Sequence, residues 1–182
     1  MVLDGEVAGK SGHAARDEGE NAIYKALPMI ERLRSLSFPL TSAHLGPVKI
    51  SVTQISAGTH HNVVPDMCRI VVDVRTTDAY TNEQTLEMIR QAVPFCKLTP
   101  RSVRLRPSGI SEQHPIVRRL VIAGRKPFGS PTLSDQALMP FPSLKIGPGD
   151  SARSHTADEY ITYDEIREAI QIYFTTLDGL TL

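Results

Sequence analysis

Residues 48–75 read VKISVTQISAGTHHNVVPDMCRIVVDVR, and this stretch decides the fold. In both of its halves, apolar residues alternate with polar ones, which predicts two half-buried strands joined by a turn-rich segment. The apolar residues are Val48, Ile50 and Val52 in the first strand, and Cys68, Ile70, Val72 and Val74 in the second. Since one face of each strand is apolar, we expect both strands to cover the same core.

On either side of this pair, the sequence predicts one more strand and one helix. Upstream, an apolar run in residues 2–7 predicts a strand, and apolar residues at helical spacing predict a helix over about 20–36. Pro28 lies inside that pattern, so we expect a kink or a helix start near Leu27. Downstream, we expect a helix capped by Asn82, and then a strand at Val103 and Leu105. The order βαββαβ is that of a ferredoxin-like domain.

The segment PSGISEQHP, at residues 107–115, differs in composition from the residues before it and predicts a boundary near Gly109. We therefore expect one domain over 1–109 and a second part over 110–182. In the second part, Pro115 begins a helix, Thr162 and Glu165 form a capping box before another, and short strands are expected around Thr132 and at 144–146. So few elements make a poor independent domain, so we expect the second part to be the C-terminal portion of a larger α/β domain.

Composition excludes several classes of function. Twenty basic residues balance twenty acidic ones, so no net charge favours nucleic acid or an anionic membrane surface. No apolar stretch approaches the length of a membrane span, and the opening MVLDGEVAGK lacks the layout of a signal peptide. Cys68 and Cys96 are too few for a disulfide framework and fit a reducing cytoplasm.

Three polar segments are candidates for chemistry. In GKSGHAAR, residues 9–16, a loop of small residues presents His13, which can donate to a developing oxyanion or can be an ordinary loop histidine. In residues 56–75, Asn62 lies in a turn and Arg75 on the polar face of a strand. An arginine there can hold a carboxylate bidentately or form a salt bridge with Asp73.

The third segment is LKIGPGDSARSHTADEY, residues 144–160. Gly147 and Gly149 allow close backbone approach to a ligand, and His155 is a potential zinc ligand. One histidine among acidic residues is not a metal motif, because a zinc site needs three or four ligands. From the residues alone, the sequence is a globular domain with polar loops.

These segments, with GENAIYKALPMIERL at 19–33 and TLSD at 132–135, together resemble the co-catalytic zinc hydrolases. That family includes acetylornithine deacetylase, aminoacylase, succinyl-diaminopimelate desuccinylase and glutamate carboxypeptidases, and the HTADEY ending is most similar to the first. The resemblance implies a ferredoxin-like lid and dimerisation domain, followed by the C-terminal part of a zinc-peptidase-like α/β catalytic domain.

The resemblance also implies roles for individual residues. His13 resembles the lid histidine that polarises the scissile carbonyl in the partner subunit's active site. Asn62 and Arg75 resemble the residues that hold the substrate carboxylate. Gly147 to Gly149 resemble the turn that lines the substrate pocket, and His155 resembles the last zinc ligand.

By this resemblance, the whole enzyme is a cytoplasmic homodimer with two zinc ions per active site, although cobalt or manganese can occupy such sites. It would remove the N-acyl group from N-acetylornithine, in arginine biosynthesis, or from N-succinyl-ornithine. The other zinc ligands and the general base have no counterpart in this sequence, so we expect the chain alone to be inactive and its metal site unoccupied. The alternative is a non-enzymatic ferredoxin-like module that dimerises or binds an amino acid.

Overall fold

A computed structural model describes residues 1–16, 18–130 and 132–181. The strands are β1 (Val2–Ala8), β2 (Gly12–His13), β3 (Lys49–Ala57), β4 (Val63–Val64), β5 (Met67–Arg75) and β6 (Lys97–Pro100). The helices are α1 (Ala22–Ser35), α2 (Asn82–Ala92), α3 (Pro115–Ile122) and α4 (Tyr163–Leu177). Two 3-10 turns, Asp135–Leu138 and Ser151–Arg153, lie between α3 and α4.

The long strands form one antiparallel sheet in the order β3-β5-β1-β6, and the short β2 and β4 pair separately. Taken with the connecting helices α1 and α2, this is the ferredoxin-like βαββαβ arrangement that the sequence predicts. Its core consists of the inward faces of the strands and the apolar stripes of both helices. Leu3, Val72 and Ile89 are among the residues with no exposed surface.

The last strand of this sheet lies earlier in the chain than predicted. The strand expected at Val103 and Leu105 is wrong, since β6 spans Lys97–Pro100 and pairs with β1. Leu98 fills the core position, whereas the carbonyls of Val103 and Leu105 accept hydrogen bonds from the side chain of Asn82 at 2.8 Å each. The alternation at 103–105 therefore belongs to an extended segment that a side chain holds in place.

Two details of the helices also differ from expectation. The N-cap of α2 is Thr81, which forms a capping box with Gln84, because Asn82 turns inward as the first helical residue. Helix α1 runs through Pro28 and does not start near Leu27. Pro28 is exposed, so the carbonyl that loses its amide partner there lies on the solvent side.

The chain falls into two compact units, the first of which is Met1–Pro107 together with Ser130–Leu138. The second is Ser108–Gly129 with Met139–Leu182, so the division lies two residues before the predicted boundary and places 130–138 with the first unit. In the second unit α3 starts at Pro115, and Thr162 with Glu165 caps α4, as predicted. The strands expected around Thr132 and at 144–146 are absent from the described residues, which offer no neighbouring strand to pair with there.

Candidate functional site

The loop that carries His13 is closed by backbone contacts. Lys10 and Glu20 exchange two backbone hydrogen bonds of 2.8 Å, which fixes the two ends of the loop. Within it, the backbone carbonyl of Glu18 lies so close to Gly12 that a Cβ on that glycine would approach it to 2.2 Å. Only glycine fits this position, and the fit sets the direction in which the next residue, His13, leaves the strand.

The structure brings His13 and Asn62 together. His13 in β2 pairs with Val63 in β4, and the amide of Ala14 donates to the Asn62 carbonyl at 3.1 Å. Both side chains are exposed. The pairing joins two loops that are about 50 residues apart in sequence, so an imidazole and a carboxamide lie at one end of the sheet.

A backbone contact favours one neutral tautomer of the His13 ring. Its Nδ1 accepts a hydrogen bond from the backbone amide of Ala15 at 3.2 Å. A ring nitrogen that accepts carries no proton, so the neutral imidazole is protonated on Nε2. The exposed Nε2–H is therefore a donor, which is the group that stabilisation of an oxyanion needs.

Arg75 lies at the other end of the sheet. The start of β5 adjoins the His13 loop, where Gly9 donates to the Asp66 carbonyl at 2.8 Å. The nine residues of β5 end at Arg75, and at about 3.3 Å per residue the strand spans about 26 Å. Arg75 is therefore separated from the His13 loop by about the length of this strand.

Arg75 forms the salt bridge that its sequence position suggests. Its Nε donates to Asp73 Oδ2 at 2.7 Å, while its side chain remains 56% exposed. Neither terminal Nη atom has a hydrogen-bond partner among the described residues. Asp73 therefore orients the guanidinium and leaves its outer fork available for an anion.

In the second unit, the glycine turn and His155 lie in one loop region. Gly149 has a φ of +81°, which favours glycine, whereas a Cβ on Gly147 would meet open space. His155 has a φ of +63° and is the one described residue other than glycine with a positive φ. Its amide donates to Glu159 Oε2 at 3.0 Å. Backbone strain of this kind, costing on the order of 1 kcal/mol or more, collects at functional positions.

Arg153 anchors this loop, a role that the sequence analysis missed. Its Nη1 contacts both carboxylate oxygens of Glu165 at 2.8 and 3.0 Å, and its guanidinium lies 4.4 Å from the centre of the Tyr160 ring. Hydrogen bonds from Thr162, together with Arg153, hold the pKa of Glu165 below its usual value. The capping box at Thr162 was the available signal, since Glu165 has a second oxygen free for a partner.

The described residues do not form a complete metal site. No group of three or more His, Cys, Asp or Glu side chains in 1–16, 18–130 and 132–181 is placed to hold a metal ion. His155 is exposed and can supply at most one ligand, so a zinc ion does not fit these residues without further ligands.

Comparison with known proteins points to one family. A family profile described as a peptidase dimerisation domain matches residues 3–94, just over half of the chain. The acetylornithine deacetylase of Myxococcus xanthus is 30% identical over 88% of the chain and 47% of its own length. A putative succinyl-diaminopimelate desuccinylase of Mycobacterium tuberculosis is 26% identical over 95% of the chain and 51% of its own length.

A solved structure with the same fold is the aminopeptidase PepT of Bacillus cereus, with a TM-score of 0.72, 18% identity, and coverage of 97% of this chain and 50% of that one. The chain thus spans about half the length of the proteins that it matches. In its described part, no helix is both long enough and apolar enough to cross a bilayer.

Proposed function

We propose that this chain, which belongs to the family of peptidase dimerisation domains, is the lid and C-terminal part of a zinc-dependent hydrolase. The hydrolase would cleave the amide bond of an N-acyl amino acid and release a carboxylate and a free amine. Relatives named acetylornithine deacetylase and succinyl-diaminopimelate desuccinylase support this substrate class. N-acetylornithine and N-succinyl-ornithine are the two candidate substrates.

The observation that carries the proposal is the state of His13. The residue is exposed, and the hydrogen bond from the Ala15 amide to Nδ1 favours the neutral tautomer that carries its proton on Nε2. A carbonyl oxygen that gains negative charge during attack is stabilised by such a preset donor, whose loss costs roughly 100- to 1000-fold in kcat. In this proposal Asn62, beside His13, binds the same substrate.

The separation of His13 from Arg75 supports a dimer. Strand β3 is an edge strand, so its outer hydrogen-bonding groups are open to a second chain. Antiparallel pairing of two β3 strands would place the Arg75 end of one chain at the His13 end of the other. One substrate could then contact His13 and Asn62 from one chain and Arg75 from its partner.

Exposed apolar side chains lie on β3 and on α1, the helix that packs against β3. Tyr24 and Leu27 of α1 are 71% and 55% exposed, and Ile55 of β3 is 54% exposed. Ile55 shares its register position with the buried Ile70, so it lies on the face that the helices cover but beyond their reach. These three residues and the open edge of β3 are the proposed dimer contact, since large apolar side chains are favourable once a partner covers them.

Zinc enters the proposal through His155 alone. His155 would supply one ligand, with the remaining ligands and the general base on residues outside this chain. The bound metal would activate the attacking water. Residues other than glycine in such a strained conformation collect at functional positions, which supports this role for His155.

The test is an assay of the whole protein that contains this chain, with zinc added, for free amine released from N-acetylornithine and N-succinyl-ornithine. We expect His13→Ala to lower kcat by about 100-fold or more, and His155→Ala to lower zinc content as well as activity. His60→Ala is the matched control, because His60 is an exposed loop histidine whose side chain contacts only Thr59 among the described residues.

The 182-residue chain alone should release no amine. A whole protein that hydrolyses no N-acyl amino acid, and that is indifferent to a chelator, would contradict the proposal. It would favour the module that dimerises or binds an amino acid without catalysis.

A further inference from the structure

A cleft of about 430 Å³ lies at the Arg75 end of the sheet, and basic side chains dominate its charge. Its lining includes the cations Arg34, Lys49 and Arg75, and one acidic side chain, Asp73. Arg34 is engaged by Glu31 on its own helix at 2.9 Å, and Arg75 by Asp73. Lys49 has no ion pair within the described part of the chain.

Lys49 and Arg75 are like charges at one register position, and of the two only Arg75 has an ionic partner, Asp73, among the described residues. They are directly opposite each other in the antiparallel register of β3 and β5, so their side chains leave the same face of the sheet. Their Cα atoms are then roughly 4.5–5.5 Å apart, and like charges at this spacing destabilise a sheet. Exposed lysines are common on edge strands, where they prevent pairing with other chains, but that role does not require an arginine at the opposite register position.

An anion between the two side chains removes this conflict. Arg75 presents the two Nη atoms that Asp73 leaves free, and Lys49 adds a point charge with three donors. A single carboxylate can satisfy the arginine fork alone, whereas a ligand with two carboxylates can use both cations.

We infer that this cleft binds a dicarboxylate, with Lys49 as the residue that selects it. If the proposed function holds, on which this step rests, the preferred substrate has an acyl group that carries its own carboxylate. The N-succinyl class fits this description, and the N-acetyl class does not. Lys49 is then a specificity-determining residue and takes no part in bond cleavage.

The first test uses the 182-residue chain and titrates it with succinate and with acetate at low salt, following amide shifts by NMR. We expect succinate to bind about tenfold more tightly than acetate, because its two carboxylates can form charge-assisted hydrogen bonds with both cations. Lys49→Gln should weaken succinate about tenfold and acetate less than about twofold, and Lys49→Arg should restore succinate binding.

The matched control is Lys97→Gln on the opposite edge strand β6, where the ammonium lies 3.7 Å from Glu6. It should leave both affinities unchanged, because Lys97 is not part of the cleft. Both lysines are exposed, so neither variant disturbs the core. Equal affinity for succinate and acetate, or an equal loss in the two glutamine variants, would overturn the inference.

The second test separates this inference from the proposed function. In the whole protein, Lys49→Gln should lower kcat/KM for the N-succinyl substrate about tenfold and leave that for the N-acetyl substrate within about twofold. Hydrolysis of both substrates without this change in ratio would reject the role of Lys49 and keep the hydrolase. Succinate binding that depends on Lys49, in a protein without hydrolase activity, would keep the site and reject the hydrolase.

Discussion

The two units of this chain differ in how far each covers its own apolar residues. In the first unit, α1 buries Ala22, Ala26, Met29 and Leu33 against the sheet. In the second, α4 is one residue longer but buries only Ala169 and Thr176, and leaves Phe174 68% exposed. The first unit thus has the core of an independent domain, whereas the second leaves large apolar side chains exposed, as surfaces that bind a partner do.

The largest effect that should separate the units comes from one substitution made in each. Ile89→Ala in α2 removes a side chain with no exposed surface, so we expect a loss of about 3–4 kcal/mol of unfolding free energy. Ile170→Ala in α4 should cost less than about 1 kcal/mol, because that side chain is 49% exposed. Urea unfolding of the 182-residue chain measures both, and equal losses would refute the contrast.

A second, smaller effect concerns residues 103–105, near the point where the chain passes from the first unit to the second. Asn82 is 1% exposed, and its Nδ2 donates to the Val103 and Leu105 carbonyls. Asn82→Ala should cost about 2 kcal/mol, since two hydrogen bonds are lost and two carbonyls are left unpaired. Hydrogen exchange should show faster exchange in α2. The control Asn62→Ala, at an exposed asparagine, should change stability by less than about 0.5 kcal/mol.

A third effect, of about the same size, is a dependence of stability on alkaline pH that comes from the two cysteines, both of which lie in the first unit. Burial raises the pKa of the Cys96 thiol to about 11. Between about pH 9 and pH 11 the thiol ionises in the unfolded chain but stays protonated in the fold, so stability falls as pH rises, by about 2 kcal/mol.

Unfolding of the wild type and of Cys96→Ala from pH 8 to pH 11 checks this dependence. The variant should lose less stability over that range. Cys68, whose thiol pKa burial also raises, still contributes in both proteins. Identical slopes for the two proteins would contradict a buried Cys96.

The sequence predicted the first unit better than the second, and the reason is physical. The alternation in residues 48–75 reflects a sheet with one face exposed to solvent and one face buried. The residues that cover the buried face belong to the same chain, so the local pattern was sufficient. The strands expected at 144–146 and around Thr132 lack a neighbouring strand in the described residues, so local pattern alone could not decide them. The position of β6 was missed because Lys97–Pro100 contributes a single core side chain, Leu98.

The candidate site was predictable as residues but not as geometry. The loops of His13 and Asn62 are recognisable by their glycines and polar side chains, and the structure joins them through β2 and β4. The separation of Arg75 follows from strand length, because it ends the nine-residue β5 that begins beside those loops. The like-charge pair of Lys49 and Arg75 depends on a bulge between Val52 and Gln54, which no periodicity reveals.

The central claim is that His13 and Arg75 reach one substrate from different chains, and subunit complementation of the whole protein tests it most directly. His13→Ala and Arg75→Ala variants with different tags would be co-expressed, and heterodimers purified through both tags. Each heterodimer should have one intact site and one doubly damaged site, which predicts about half of the wild-type activity from two variants that are each nearly inactive. Activity no higher than that of the single variants would show that both residues act within one chain, and would contradict the account.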